Sequence, residues 1–292
     1  MSKKYQSAVG TITRNCQQYI QEWIIFQHIT GFDKIIIRID SRTVDETLKR
    51  IESLPQFILD KVDILPVIEC NTEVFKRGEH VFQKFQANTY QDIYDKYKDE
   101  IEWLAFFDDD EYLYDKDKRK INDILNVATE DAGSIILPWL NFNHNQRLLP
   151  VSPSETRLAA FTKRPPIPEW ISIVKSIARM SNIISDNVYD WYYCHTIKTN
   201  GSIHYADGRK CFLVDQGIQA LNPMKWDTCL VHYRDGSVTD WIKKVAQYSA
   251  VEHGASDWYT WKHLTNPAYS CEDSRMSIYI DDLREILQQC KS

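Results

Sequence analysis

The chain has 292 residues, 43% hydrophobic and 26% charged, which excludes disorder and fibrous repeats and fits one large α/β domain or two small ones. Nine glycines and ten prolines are too few for long flexible linkers. Thirty-five basic against 41 acidic residues give a net charge of −6, which argues against a dedicated nucleic-acid binder but allows a small anionic ligand held by local cations or a metal.

Ser7 to Thr13 reads as a short strand rich in small and β-branched residues. Tyr19, Ile20, Trp23, Ile24 and Ile29 then recur at helical spacing, and Gly31 follows as a stop. Lys34 to Ile39 is apolar enough for a buried parallel strand. Asp45 has the chemistry to cap a helix that runs to about Leu54, where Pro55 ends it. Lys61 to Ile68 reads as a third strand, weakened by Pro66, and Phe75 to Tyr97 as a long helix. Glu102 to Phe107 is a fourth strand running directly into Asp108-Asp109-Asp110-Glu111. This alternation implies a parallel sheet with right-handed crossovers, in which ligands bind beyond the carboxyl ends of the strands. Further on, Ser134 to Trp139 and Ile171 to Ile177 read as strands, flanking a polar, aromatic and proline-rich stretch. Ser237 to Glu252 and about Asp281 to Cys290 read as helices. No internal repeat is present, and one domain is expected.

The sharpest chemical feature is Asp108-Asp109-Asp110. In an extended segment alternate side chains share a side, so Asp108 and Asp110 are expected to point together and Asp109 away. Two such carboxylates suit Mg²⁺ or Mn²⁺, with phosphate oxygens completing the shell. Thr11, Thr13, Arg14 and Asn15 at the end of the first strand could contact a base, ribose or phosphate, and Asp40 at the end of the second could accept from a ribose hydroxyl. None of the eight histidines has the spacing of a helical metal site. His232, after the apolar Cys229-Leu230-Val231, is a candidate metal ligand at a strand end. His195 is a weaker functional candidate.

In chain order, Thr11 to Ile37 (T-x-x-R-N-C-x-x-Y-I-x-E-W-I, then G-F-D-K-I-I-I), Trp103 to Leu113, Pro138 to Phe142, Lys175 to Arg179, and Val231-His232-Tyr233-Arg234 with Ser237 and Lys244 resemble blocks of family 92 glycosyltransferases and their family 2-like relatives. The blocks cover about residues 8 to 250. Cys16 stands where the family usually has Glu, and Ile39-Asp40-Ser41-Arg42 replaces its usual Tyr-Asp-Asn.

The resemblance implies a GT-A-type, Rossmann-like α/β domain with a mainly parallel central sheet flanked by helices. Residues 1–115 would form the nucleotide-sugar half, 116–250 the acceptor half and 251–292 a C-terminal helical extension. It further implies a metal-dependent transfer of a sugar from a nucleotide-sugar donor, expected to be a UDP-sugar, to a glycan, glycoconjugate or other hydroxyl acceptor, with inversion. Asp108, Asp110 and His232 are the expected ligands of Mn²⁺ or Mg²⁺. Thr11, Thr13, Arg14, Asn15, Asp40, Asp108 and Asp109 are the expected donor contacts, with Trp139 as an aromatic platform for a sugar ring. Glu169 and Asp190, each set among aromatic residues, are the candidate bases. Two alternatives remain open: a nucleotidyltransferase-type enzyme, although only Gly10 lies near the first strand end, and a non-catalytic sugar-binding protein retaining the fold.

Seven cysteines, an odd number without a CxxC pair, fit reduced thiols in a cytoplasmic setting better than a disulfide framework. No secretory apolar region or membrane-length run is expected.

Overall fold

The computed structural model describes residues 3–68, 81–145, 147–152, 154–166, 173–184, 195–214, 219–220, 226–248 and 271–290. The order of elements begins β1 (Tyr5–Thr13), α1 (Ile20–Thr30), β2 (Lys34–Asp40), α2 (Thr47–Glu52), α3 (Gln56–Leu59), β3 (Val62–Ile68), α4 (Val81–Tyr97) and β4 (Ile101–Phe106). It continues with β5 (Glu111–Asp115), α5 (Ile121–Leu125), β6 (Ala132–Asn141), α6 (Arg157–Ala160), β7 (Lys163–Arg164), β8 (Val174–Arg179) and β9 (Ser202–Tyr205). After β10 (Leu213–Val214) and β11 (Gln219–Ala220) come β12 (Thr228–His232), α7 (Val238–Tyr248), β13 (Cys271–Glu272) and a C-terminal helix, Ile280–Leu287.

Nine of the strands make one mixed, mostly parallel sheet in the order β3-β2-β1-β4-β8-β6-β12-β5, with β9 also paired to β6. The pairs β1–β2, β2–β3 and β1–β4 are parallel, as the βα alternation predicts. β8 joins the two halves by antiparallel pairing to both β4 and β6. β12 lies parallel to β6 and antiparallel to β5. β10–β11 and β7–β13 are separate two-stranded ribbons.

The strand period of two accounts for the two-sided burial. Val9, Ile35 and Ile37 face one core with Trp23, Phe26 and Phe107. Ala8 and Ile36 face another with Tyr90, Ile93, Tyr97 and Phe106. α4 approaches β1 so closely at Gly10 that a Cβ there would lie 2.9 Å from the Phe106 ring and 3.0 Å from Ile93. α1 is buried on most of its surface, and it ends at Gly31, whose φ of 95° suits a residue without Cβ. Met276, Tyr279 and Leu283 of the last described segment enter the first core.

Three expectations change in detail. Pro55 does not merely end a helix; it precedes α3. Pro66 is accommodated within β3 because β3 is the edge strand, and its carbonyl accepts from Arg38 Nη1. Glu111–Asp115 forms a strand, which the run of acids concealed.

Candidate active site

A cavity of about 480 Å³ opens beyond the ends of β1 and β4 and beneath the start of α7. Its wall includes Arg14 and Asn15, the three acids Asp108, Asp109 and Asp110, and Arg157. The segment from His232 to Gly236, with Asp240, Lys243 and Lys244, closes another side.

The acidic run is a turn, not an extended segment: Glu111 N donates to Asp108 O at 3.0 Å, and Asp108 N donates back to Glu111 Oε2 at 2.8 Å. The expectation that Asp109 points away from the other two therefore fails, and all three acids line the cavity. Each meets a different partner. Asp108 Oδ2 faces Lys175 Nζ at 3.3 Å. Asp109 Oδ2 accepts from Thr13 Oγ1 at 2.6 Å. Asp110 Oδ2 accepts from Lys244 Nζ at 2.8 Å. Burial, with the charge of Asp110 adding to it, raises the Asp109 carboxyl to about 6. Burial would raise Asp110 too, but the Lys244 ammonium outweighs it and holds that carboxyl well below the usual range.

His232 reaches Asp110 through strand register. β12 pairs with β5 so that His232 lies opposite Glu111, and Tyr233 N donates to Asp110 O at 2.9 Å. The imidazole Nδ1 lies 2.9 Å from Asn141 Oδ1. An amide oxygen can only accept, so Nδ1 carries the hydrogen and the lone pair of neutral His232 is on Nε2. That nitrogen stands 3.3 Å from Asp110 Oδ1, a buried oxygen without a hydrogen-bond partner. Two electron-pair donors thus face the same small space, and a carboxylate oxygen with an imidazole nitrogen suits Mn²⁺ or Mg²⁺. The Nδ1 bond to Asn141 fixes the ring orientation and tautomer, as an outer contact would have to do for an imidazole that held a metal. Among the described residues no three His, Cys, Asp or Glu side chains converge as a complete cage.

An ion cluster built on two buried side chains, Lys175 and Glu111, and the partly exposed Asp108 supports the turn. Lys175, 1% exposed, lies 3.3 Å from both Asp108 and Glu111. Burial pushes the Glu111 carboxyl well above its ordinary value even with Lys175 beside it. α7 starts with a reciprocal cap in which Ser237 N donates to Asp240 Oδ2 and Asp240 N to Ser237 Oγ, each at 3.0 Å. This cap sets the helix that presents Lys244.

The profile of glycosyltransferase family 92 matches residues 8–266. The chain belongs to glycosyltransferase family 92. As a member it is a glycosyltransferase, and its chemistry is sugar transfer. A crystal structure of glucosyl-3-phosphoglycerate synthase from Mycobacterium tuberculosis in complex with phosphoglyceric acid is similar over 76% of this chain and 74% of that one, at 10% identity and a TM-score of 0.32. No curated protein matches the chain.

The cavity gathers some of the expected residues and not others. Arg14, Asn15, Asp108, Asp109, Asp110 and His232 line the cavity, and Thr13 supports it through Asp109. Asn15 has φ 51°, and its Oδ1 accepts from Val44 N at 2.8 Å. Thr11 is buried in β1 away from the wall. Asp40 is also buried off the wall; its carboxylate is taken by Arg42, whose Nη2 lies 2.6 Å away, so it is not presented to the cavity. Burial opposes its ionisation, but the Arg42 contacts outweigh it and lower that carboxyl. Trp139 is not an open platform: His232 stacks on its ring at 4.4 Å and 30°, and His195 meets it edge-on at 4.9 Å. Burial and the nearby Lys175 lower His195 to about 4, which keeps it neutral. Glu169 and Asp190 lie outside the described residues.

Sequence reasoning missed Arg157 and Asp235. Arg157 is only 5% exposed and stacks over Tyr19 at 3.8 Å. Asp235 is 4% exposed, and its Oδ1 has no hydrogen-bond partner. Asp235 could have been found from its place within the His232-to-Ser237 block. Arg157 carries no local signal, since only folding brings it to Asp109.

Among the described residues no helix is long and apolar enough to cross a membrane.

Proposed function

We propose that this family 92 glycosyltransferase moves a sugar from a nucleotide-sugar donor, a UDP-sugar as the first expectation, to a hydroxyl of a glycan or glycoconjugate, with inversion and with Mn²⁺ or Mg²⁺. The observation that supports this most directly is the facing pair of Asp110 Oδ1 and His232 Nε2, 3.3 Å apart. Asp110 and His232 would hold the ion, with Asp108 on the same cavity and donor phosphate oxygens as further ligands. When bound, the ion supplies positive charge where the departing nucleoside diphosphate gains negative charge.

The chain's own groups account for the rest. Lys244 holds the Asp110 carboxylate ionised. Asn141 and the Trp139 ring fix the imidazole. Arg14 and Asn15 border the cavity where the nucleoside would lie. A carboxylate must take the proton of the acceptor hydroxyl during direct displacement; Glu169, Asp190 and Asp235 are the candidates.

The test is a metal titration of donor turnover, read as release of nucleoside diphosphate from a panel of nucleotide sugars. Wild-type enzyme should need Mn²⁺ or Mg²⁺. His232→Ala should need at least tenfold more metal for half-maximal rate and recover part of the rate in excess Mn²⁺. Asp110→Asn should lose about 100-fold or more in kcat at saturating metal. Full wild-type activity in excess chelator would overturn the metal assignment, and the absence of any nucleoside diphosphate from every donor would overturn the donor class.

A further inference from the structure

Arg157 is a cation placed where cations are costly. It is only 5% exposed, and it lines the cavity. Three contacts fix it. Its main-chain N donates to Glu22 Oε2 at 2.8 Å, its guanidinium lies over the Tyr19 ring at 3.8 Å, and Nη1 donates to the carbonyl of Asp109 at 3.1 Å. None of these neutralises it. Among the described residues it makes no ion pair within 4 Å, and Nε is buried without a hydrogen-bond partner. Asp109 and Asp110 attract it electrostatically but stand beyond ion-pair distance, and their closest side-chain bonds go to Thr13 and to Lys244. Arg14 of the same cavity repeats the pattern, with buried Nε and Nη1 lacking partners. Buried charges are ordinarily paired, and an unpaired one is strongly disfavoured. A planar guanidinium stacked on a ring keeps its N–H donors in plane, the geometry that grips a phosphate.

We propose that Arg157, together with Arg14, forms a metal-independent anion site that binds a phosphate group of the donor. This rests on the nucleotide-sugar reading above and adds a second positive centre to the Asp110–His232 pair. The two centres together select a ligand with at least two phosphates over a monophosphate or a neutral sugar. Arg157 also stays in place after transfer, so it holds the leaving diphosphate even when the metal is removed.

The experiment is calorimetry on the full chain with inorganic pyrophosphate in EDTA, and with nucleoside diphosphates (UDP, GDP, ADP) in Mn²⁺ and in EDTA. Wild-type protein should bind pyrophosphate in EDTA. Arg157→Gln should weaken that binding at least tenfold, and Arg157→Lys, which keeps the charge but not the fork, by a smaller factor. His232→Ala should lose the gain in affinity that Mn²⁺ brings. The nucleoside without phosphate should bind wild-type and variants alike. Melting curves identify any variant that fails to fold, and Arg157→Lys then carries the comparison. Pyrophosphate affinity of a folded Arg157→Gln within twofold of wild type overturns the proposal. So does wild-type protein that binds no pyrophosphate in EDTA, or an Arg157 loss confined to Mn²⁺, which would show that Arg157 acts through Asp109 and Asp110. If pyrophosphate binds through Arg157 while no nucleoside diphosphate binds under any condition, the anion site stands and the nucleotide reading falls.

Discussion

Asn141 illustrates how much a residue outside the cavity wall decides within it. Its amide oxygen accepts from Nδ1 of His232 and so leaves the Nε2 lone pair directed at Asp110. Asn141→Ala should weaken Mn²⁺ affinity roughly 10- to 100-fold while melting stays close to wild type. A metal titration monitored by manganese electron paramagnetic resonance would measure it. Glu22 lies deeper. Burial raises its carboxyl to about 7 from 4.5, against the hydrogen bonds donated by the Arg157 and Leu158 backbones. A carboxyl raised in the fold stays protonated there. Its contribution to stability is complete below pH 4.5 and is lost as pH climbs through 7. Glu22→Gln removes this dependence. The unfolding free energy of the variant relative to wild type should therefore rise by roughly 2–3 kcal/mol between pH 5 and pH 7.5, as measured by urea titration.

At the scale of elements, the site depends on two alignments. One is the β5–β12 register that sets His232 opposite Glu111; a slip of one residue would turn the imidazole to the other face. The other is the start of α7. Ser237→Ala should cost about 1 kcal/mol by removing the reciprocal cap, and should loosen Lys244 from Asp110. Thermal melting would report the first effect, and a higher donor KM the second. The legibility of the sequence divides along the same line. The βα alternation and the acids at the end of β4 were readable, because period and strand-end position are local properties. The turn at Asp108–Glu111 was not, because four acids hide a strand that exists only by pairing with β12. The packing of Trp139 is equally hidden, because a sequence shows an aromatic ring but not the imidazole stacked on it. Arg157 and Lys175 were invisible as partners of the acids, which lie 48 and 67 residues away in the chain.

The whole molecule is two packed faces on one curved mixed sheet, joined by β8 and reinforced where backbones nearly touch. Gly133 is such a place: a Cβ there would meet Asn200 O at 2.1 Å, a backbone atom that cannot turn aside. Gly133→Ala should lower the melting temperature by at least about 5 °C, since it must separate β6 from the chain entering β9. Calorimetric melting would measure it, and an unchanged midpoint would show that the two segments can part without cost. The two ends of the sheet have a further consequence. At one, β3 carries Pro66, which offers no N–H to an incoming strand. At the other, β5 is capped by side chains. Trp23 Nε1 and Gln27 Nε2 donate to Glu111 O, while the Tyr279 hydroxyl accepts from Asp115 N and donates to Asp115 O. A β-rich protein with apolar strands such as β2 is otherwise a template for sheet-to-sheet polymerisation. Here one edge is interrupted by Pro66 and the other has main-chain groups bonded to Trp23, Gln27 and Tyr279, so both disfavour the addition of a neighbour's strand.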